Sequence, residues 1–183
     1  MWRVGVDPGR SGAAVALAPD GYAEVLWSWR TSPAGILVRI AQADDEGTLT
    51  RAQRVGSPFS LGQVIAAGIL AVAGSERVLL THESIHIGKN AATGIEQALW
   101  LGRMIGPVED VVRSKARVLR PKEWRKAVGV DPALRGAEVK QAAAQVVRAT
   151  VPGLGTLVDA LGRKSVMAHD FEAGGIAWAG SKS

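Results

Sequence analysis

The chain opens on a short apolar stretch, Val4-Gly5-Val6, that ends on Asp7-Pro8-Gly9. A buried strand with an acid at its tip constrains the fold more than any other feature of the sequence. The pattern recurs at Leu79-Leu80-Thr81-His82-Glu83, and a third acid-bearing segment, His169-Asp170-Phe171-Glu172-Ala173, reads as the start of a helix. Carboxylates at element ends can converge on one point while a rigid sheet holds them there. The chain has no cysteine, so thiolate sites and disulfides are excluded. Converging carboxylates without sulfur ligands suit hard ions such as Mg²⁺ or Mn²⁺. Two such ions in one site drive phosphodiester hydrolysis, so the three motifs point to metal-dependent nuclease chemistry.

The elements between the motifs set the expected architecture. Strands are predicted over 2–7, 13–18 and 22–30, joined by the tight turns Pro8-Gly9-Arg10-Ser11-Gly12 and Pro19-Asp20-Gly21. Ser32-Pro33 reads as a helix cap followed by proline at the first helical position, predicting a helix over 34–43 and a loop over 44–59. A helix over 61–73, a strand over 78–83, a polar loop over 84–90 and a helix over 93–105 follow. A short strand over 116–119 and helices over 121–128 and 136–150 come next. A glycine- and proline-containing loop over 151–165 and a closing helix over 169–178 complete the chain. The result is an α/β fold whose mixed sheet begins with three antiparallel strands and continues with parallel ones, flanked by helices.

Residues 1–183 are expected to form one domain, since no linker, repeat or low-complexity tract divides them. Hydrophobic residues make up 47% of the chain, enough for a proper core. No apolar run approaches the ~18 residues of a membrane span, and the N-terminus runs directly into a strand pattern, so neither membrane insertion nor a cleaved signal is expected. The absence of cysteine fits a cytoplasmic location. Net charge is +5, yet it is concentrated: from Arg113 to Arg148 ten Lys/Arg face three acids. This local surplus exceeds that of the whole chain, so the rest is slightly acidic. A concentrated basic segment suits a polyanion such as nucleic acid; a solvated helix face is the plainer alternative.

Taken together, Gly5-Val6-Asp7-Pro8-Gly9, the run Glu83-Ser84-Ile85-His86-Ile87-Gly88-Lys89-Asn90-Ala91 with Leu101-Gly102 and Gly106, and residues 169–177 resemble the RuvC family of Holliday junction resolvases, within the ribonuclease H-like superfamily. The resemblance covers nearly the whole chain in the right order, and its middle motif is the most specific. It implies a homodimeric crossover junction endodeoxyribonuclease that cuts four-way DNA junctions with two Mg²⁺ or Mn²⁺ ions per site. It implies Asp7, Glu83, His169 and Glu172 as catalytic metal ligands, and His86, Lys89 and Asn90 in a loop that reaches into the junction. Lys126 and Lys140 fall near the family's two functional lysines, with Lys122 and Arg125 in the same basic segment. The departures are Glu172, where the family commonly has aspartate, and His86, where bacterial members usually have a stacking phenylalanine. The stretch 32–75 is also longer than the bacterial norm. These mark a divergent relative, and a viral origin is one guess.

Other readings stand beside each of these. Asp7-Pro8-Gly9 alone is a turn signature, Glu83 alone an edge acid, and Asp170 competes with Glu172 as the last ligand. His169 and Glu172, three apart on a helix, share a face. Trp124 could stack on a base but is expected to pack beneath its helix. Trp100 or Met104, beside Gly102 and Gly106, is expected to fill a dimer seam along the 93–105 helix; ordinary core packing is the plainer alternative. Two functional alternatives remain. One is a catalytically inactive DNA-binding or scaffolding relative. The other is an actin-like ATPase-type phosphate-binding protein, for which 183 residues leave no room for a second domain.

Overall fold

A computed structural model describes residues 1–85, 91–162 and 167–180. Its sheet has seven strands in the order β5-β4-β3-β2-β1-β6-β7. The strands are β1 (Trp2–Asp7), β2 (Ser11–Leu17), β3 (Ala23–Ser32), β4 (Gly35–Asp44), β5 (Gly47–Val55), β6 (Val78–Glu83) and β7 (Arg117–Leu119). β1 through β5 form an antiparallel meander, whereas β6 pairs parallel to β1 and β7 parallel to β6. The expected mixed architecture is present, and its antiparallel region is longer by two strands than the sequence predicts.

Those two strands are β4 and β5, which replace the helix expected over 34–43 and the loop over 44–59. Ser32-Pro33 is no helix start: Pro33 and Ala34 form the turn between β3 and β4, and Gly35 follows at φ +104°, a conformation that favours glycine. Ile36, Val38 and Ile40 then alternate inward with half-exposed Leu37 and Arg39, the two-residue period of a strand.

Helices cover both faces. α1 (Pro58–Ala73) and α2 (Ala91–Val112) pack on the face carrying Val4, Val6, Trp27, Val38 and Ile40. α3 (Pro121–Val128), α4 (Gly136–Thr150), α5 (Leu154–Ala160) and α6 (Met167–Gly180) build the second core, with Ala13, Val15 and Leu26 of the sheet. α2 runs past the expected end at residue 105 and carries Pro107 internally. Its continuation buries Val108, and this packing offsets the hydrogen bond that proline removes. α5 lies within the expected 151–165 loop, because Leu154, Leu157 and Val158 share one buried helical face. Among the described residues no helix is long and apolar enough to cross a membrane.

One close approach fixes the centre of the molecule. A Cβ on Gly5 would stand 2.2 Å from the Ala173 carbonyl oxygen and 2.3 Å from the Ala177 nitrogen. Glycine in the middle of β1 therefore lets α6 lie directly on the strand that carries Asp7.

Candidate metal centre

Asp7 lies at the C-terminal end of the central strand, in register with Ala13 of β2, and is buried. The turn after it is anchored from β3, where the Trp29 indole N–H donates to the Gly9 carbonyl at 2.9 Å. The N-terminal turn of α6 brings His169 onto Asp7: its Nδ1–H donates to Asp7 Oδ2. Glu172, one helical turn on, places Oε2 3.8 Å from the same nitrogen. One ligand atom each from Asp7, His169 and Glu172 lies within 4.8 Å of the others.

Glu83 ends β6, parallel and adjacent to β1. Its carboxylate is outside that group of three but electrostatically coupled to it, being repelled by Glu172 and in turn repelling Asp7. Glu83 Oε2 accepts a 2.6 Å hydrogen bond from the indole N–H of fully buried Trp124. The next residue of α3, Arg125, sets its guanidinium 3.5 Å from Glu172 Oε1. Consecutive residues of one short helix thus hold two of the acids. Gly175 permits this, since a Cβ there would stand 2.9 Å from the Trp124 ring.

Burial dominates the electrostatics. It pushes the carboxyls of Glu83, Glu172 and Asp7 above their ordinary range. The Trp124 hydrogen bond opposes the rise at Glu83, and the His169 contact opposes it at Asp7. The Asp7 hydrogen bond raises the His169 imidazole against the desolvation that would lower it. Lys140, exposed on the first turns of α4, draws all three carboxyls back toward the charged form. Buried carboxylates and an imidazole are hard-to-borderline donors, and this set fits a divalent ion of the Mg²⁺ or Mn²⁺ class.

The remaining sequence expectations divide. Asp170 is fully buried and does not join the group of three. Arg125 turns into the site instead of toward solvent, whereas Lys122 and Lys126 are exposed on the same helix. His86, Lys89 and Asn90 lie outside the described residues. The dimer seam needs correction: Met104 is fully buried, and Trp100 stacks on Trp29 with ring centroids 6.1 Å apart. The outward face of α2 carries Ile95 and Leu99, 53% and 59% exposed, followed by exposed Gly102. Sequence reasoning placed Trp124 in the core but missed its bond to Glu83. An indole N–H, which needs a partner when buried, was the available signal.

The central antiparallel strands, the parallel β6 and β7 beyond β1 and the closing helix across β1 define a ribonuclease H-like fold. Among solved structures, that of Thermus thermophilus RuvC is similar with a TM-score of 0.50 and 16% identity, over 98% of this chain and 92% of that one. T. thermophilus RuvC in complex with a Holliday junction substrate aligns with a TM-score of 0.48 and 14% identity, over 98% and 91% of the two chains. At these identities the likeness is one of fold. No protein-family model and no curated protein sequence matches the chain.

Proposed function

We propose that the chain forms one ribonuclease H-like nuclease domain that resolves four-way DNA junctions by paired, divalent-metal-dependent phosphodiester hydrolysis. The observation that carries this reading is the meeting of Asp7, His169 and Glu172 at the end of β1, with Glu83 beside them. The likeness to T. thermophilus RuvC supports the fold, and the choice of substrate follows from the resemblance of the three acid-bearing motifs to the RuvC family.

Asp7, Glu172 and His169 would hold the ions, with Glu83 completing the set. Bound ions would activate water and neutralise charge developing on the scissile phosphate. The chain's own groups do the positioning. His169 fixes the Asp7 carboxylate through Nδ1, Trp124 orients Glu83, and Arg125 restrains Glu172. Lys140 adds positive charge at the mouth, where a phosphate would enter. Lys122 and Lys126 extend that charge along α3, and His86, Lys89 and Asn90, outside the described residues, are DNA contacts on the family resemblance alone.

A symmetric homodimer through α2 would match the two-fold symmetry of a junction, with Ile95, Leu99 and Gly102 rather than Trp100 and Met104 at the seam. The chain would work in the cytoplasm, where DNA is its partner. The test is cleavage of four-way, duplex and flap DNA in Mg²⁺, alongside light scattering. Paired cuts confined to the four-way substrate by a dimer are expected. Equal cutting of plain duplex, or no cutting of any substrate, would reject the assignment.

A further inference from the structure

The β3–β5 segment looks neutral in sequence, with Arg30, Arg39, Arg51 and Arg54 balanced by Glu24, Asp44, Asp45 and Glu46. Folding separates those charges. Asp44, Asp45 and Glu46 sit at the β4–β5 turn, and Glu24 lies near the start of β3 at the same end. Arg30 and Arg54 are carried to the opposite end, the one that holds Asp7.

The sheet register gives their placement. Asp7 pairs with Ala13, Ala13 with Ser28, and Ser28 with Arg39, so Asp7 and Arg39 share one row and one face. Arg30 and Arg54 flank Leu37 in a row two residues nearer the sheet end, on that same face. At ~4.8 Å per strand, the three arginines stand about 10 to 19 Å to one side of Asp7. α5 packs over β3, β4 and β5, and the residue after it, Leu161, accepts a 3.4 Å hydrogen bond from the Arg39 guanidinium. Beyond it Leu37 is half-buried, and Arg30 and Arg54 are exposed. Among the described residues none of the three arginines forms an ion pair with a carboxylate.

We infer that Arg30, Arg39 and Arg54 form a second nucleic-acid flank, which holds the phosphate backbone of a DNA arm on the side of the site opposite the α3–α4 segment. The offset from Asp7 corresponds to about three to six nucleotides of one strand at ~3.4 Å each. Arginine suits the task, because its planar fork binds phosphate oxygens in pairs. The acidic β4–β5 turn repels the backbone from the far end of the meander, so the charge separation also orients the arm. That the bound DNA is a substrate rests on the nuclease reading; the flank itself rests on charge and register.

The test is binding of a labelled four-way junction in EDTA across a salt series, with the parent chain and with R30Q, R30K and R30Q/R54Q. The Arg30 side chain has no hydrogen-bond or ion-pair partner among the described residues, so R30Q removes charge without removing an internal contact; R54Q also removes bonds to the Ser32 hydroxyl at 3.4 Å and the Ala34 carbonyl at 3.3 Å, so melting curves check each fold. The slope of log affinity against log salt should fall by about one for R30Q and about two for R30Q/R54Q. The double variant should bind roughly tenfold or more weakly near 0.1 M salt, and R30K should keep the parent slope. If the parent binds and cuts but R30Q/R54Q keeps its slope, the flank is overturned and the nuclease reading stands. If the parent binds without cutting in Mg²⁺ while the slopes fall as stated, the nuclease reading fails and the flank stands. A parent that binds no DNA overturns both.

Discussion

The two halves of the sheet treat charge in opposite ways. In the parallel half, where β1 and β6 meet α3 and α6, every acid of the candidate centre is buried or half-buried and touches a named partner: Asp7 with His169, Glu83 with Trp124, Glu172 with Arg125. In the outer meander, Arg30 and Arg54 are exposed and form no ion pair among the described residues; Arg54 donates only to the Ser32 hydroxyl and the Ala34 carbonyl. A buried charge is tolerable only when paired or bound to an ion, so the first half is built before any ligand arrives. An exposed arginine pays little for being unpaired and stays available to a phosphate. One half is preorganised for chemistry and the other is left open for capture.

The sharpest way to break that contrast is Asp7→Asn. It keeps the side chain's shape and removes the charge shared by His169 and any ion. Cleavage in Mg²⁺ should fall by about a thousandfold or more, while junction affinity in EDTA stays near the parent value. An Asp7→Asn chain that cuts at a near-normal rate would remove Asp7 from the chemistry.

A smaller effect is expected from Trp124→Phe, which deletes the N–H that holds Glu83 and leaves a void in the second core. It should cost about 2 kcal/mol in a denaturant titration and slow cleavage roughly tenfold. Lys126→Gln on the same helix should leave stability unchanged. If Trp124→Phe loses stability without slowing cleavage, Trp124 is packing alone.

The acid-rich half also predicts a pH dependence of the metal-free chain. Glu83, Glu172 and Asp7 have folded pKa values raised above their unfolded ones. Between the two values the native chain therefore holds more protons than the unfolded chain, and stability falls as pH rises. His169 is raised as well, so its contribution is full below about 6.5 and lost above its folded value. Scanning calorimetry in EDTA should show the melting temperature dropping by a few degrees between about pH 5 and pH 8. Excess Mn²⁺ should raise it more at the upper end, because ligands must be deprotonated to bind. A melting temperature that climbs across this interval would contradict the burial argument.

The smallest effect belongs to the far end of the meander. Asp45→Asn should leave cleavage unchanged and shift junction affinity by less than about twofold. A large gain in affinity would show that DNA passes over the acidic turn, and would erase the polarity assigned to this half.

The sequence by itself determined the strands that carry Asp7 and Glu83, the helices 121–128 and 136–150, and the residue types that meet at the centre. Those features are local: an apolar run, a proline at a helix start, an acid at a strand tip. It misassigned residues 34–43, because Ser32-Pro33 fits a helix cap and a hairpin turn equally well. The strand period of Ile36, Val38 and Ile40 decides between them only once β3 is there to pair with. It also placed Met104 at a surface that the packing of α1 against α2 fills from within. Tertiary structure decided between Glu172 and Asp170 at the shared point, and it alone makes that point, because Asp7 and His169 are 162 residues apart and meet only when Gly5 lets α6 settle on β1. It alone aimed Arg125 inward and Lys126 outward, and separated the balanced charges of the meander into two ends. A residue's chemistry is written in its own side chain, but its partner is set by the close packing of distant elements, which no local pattern records.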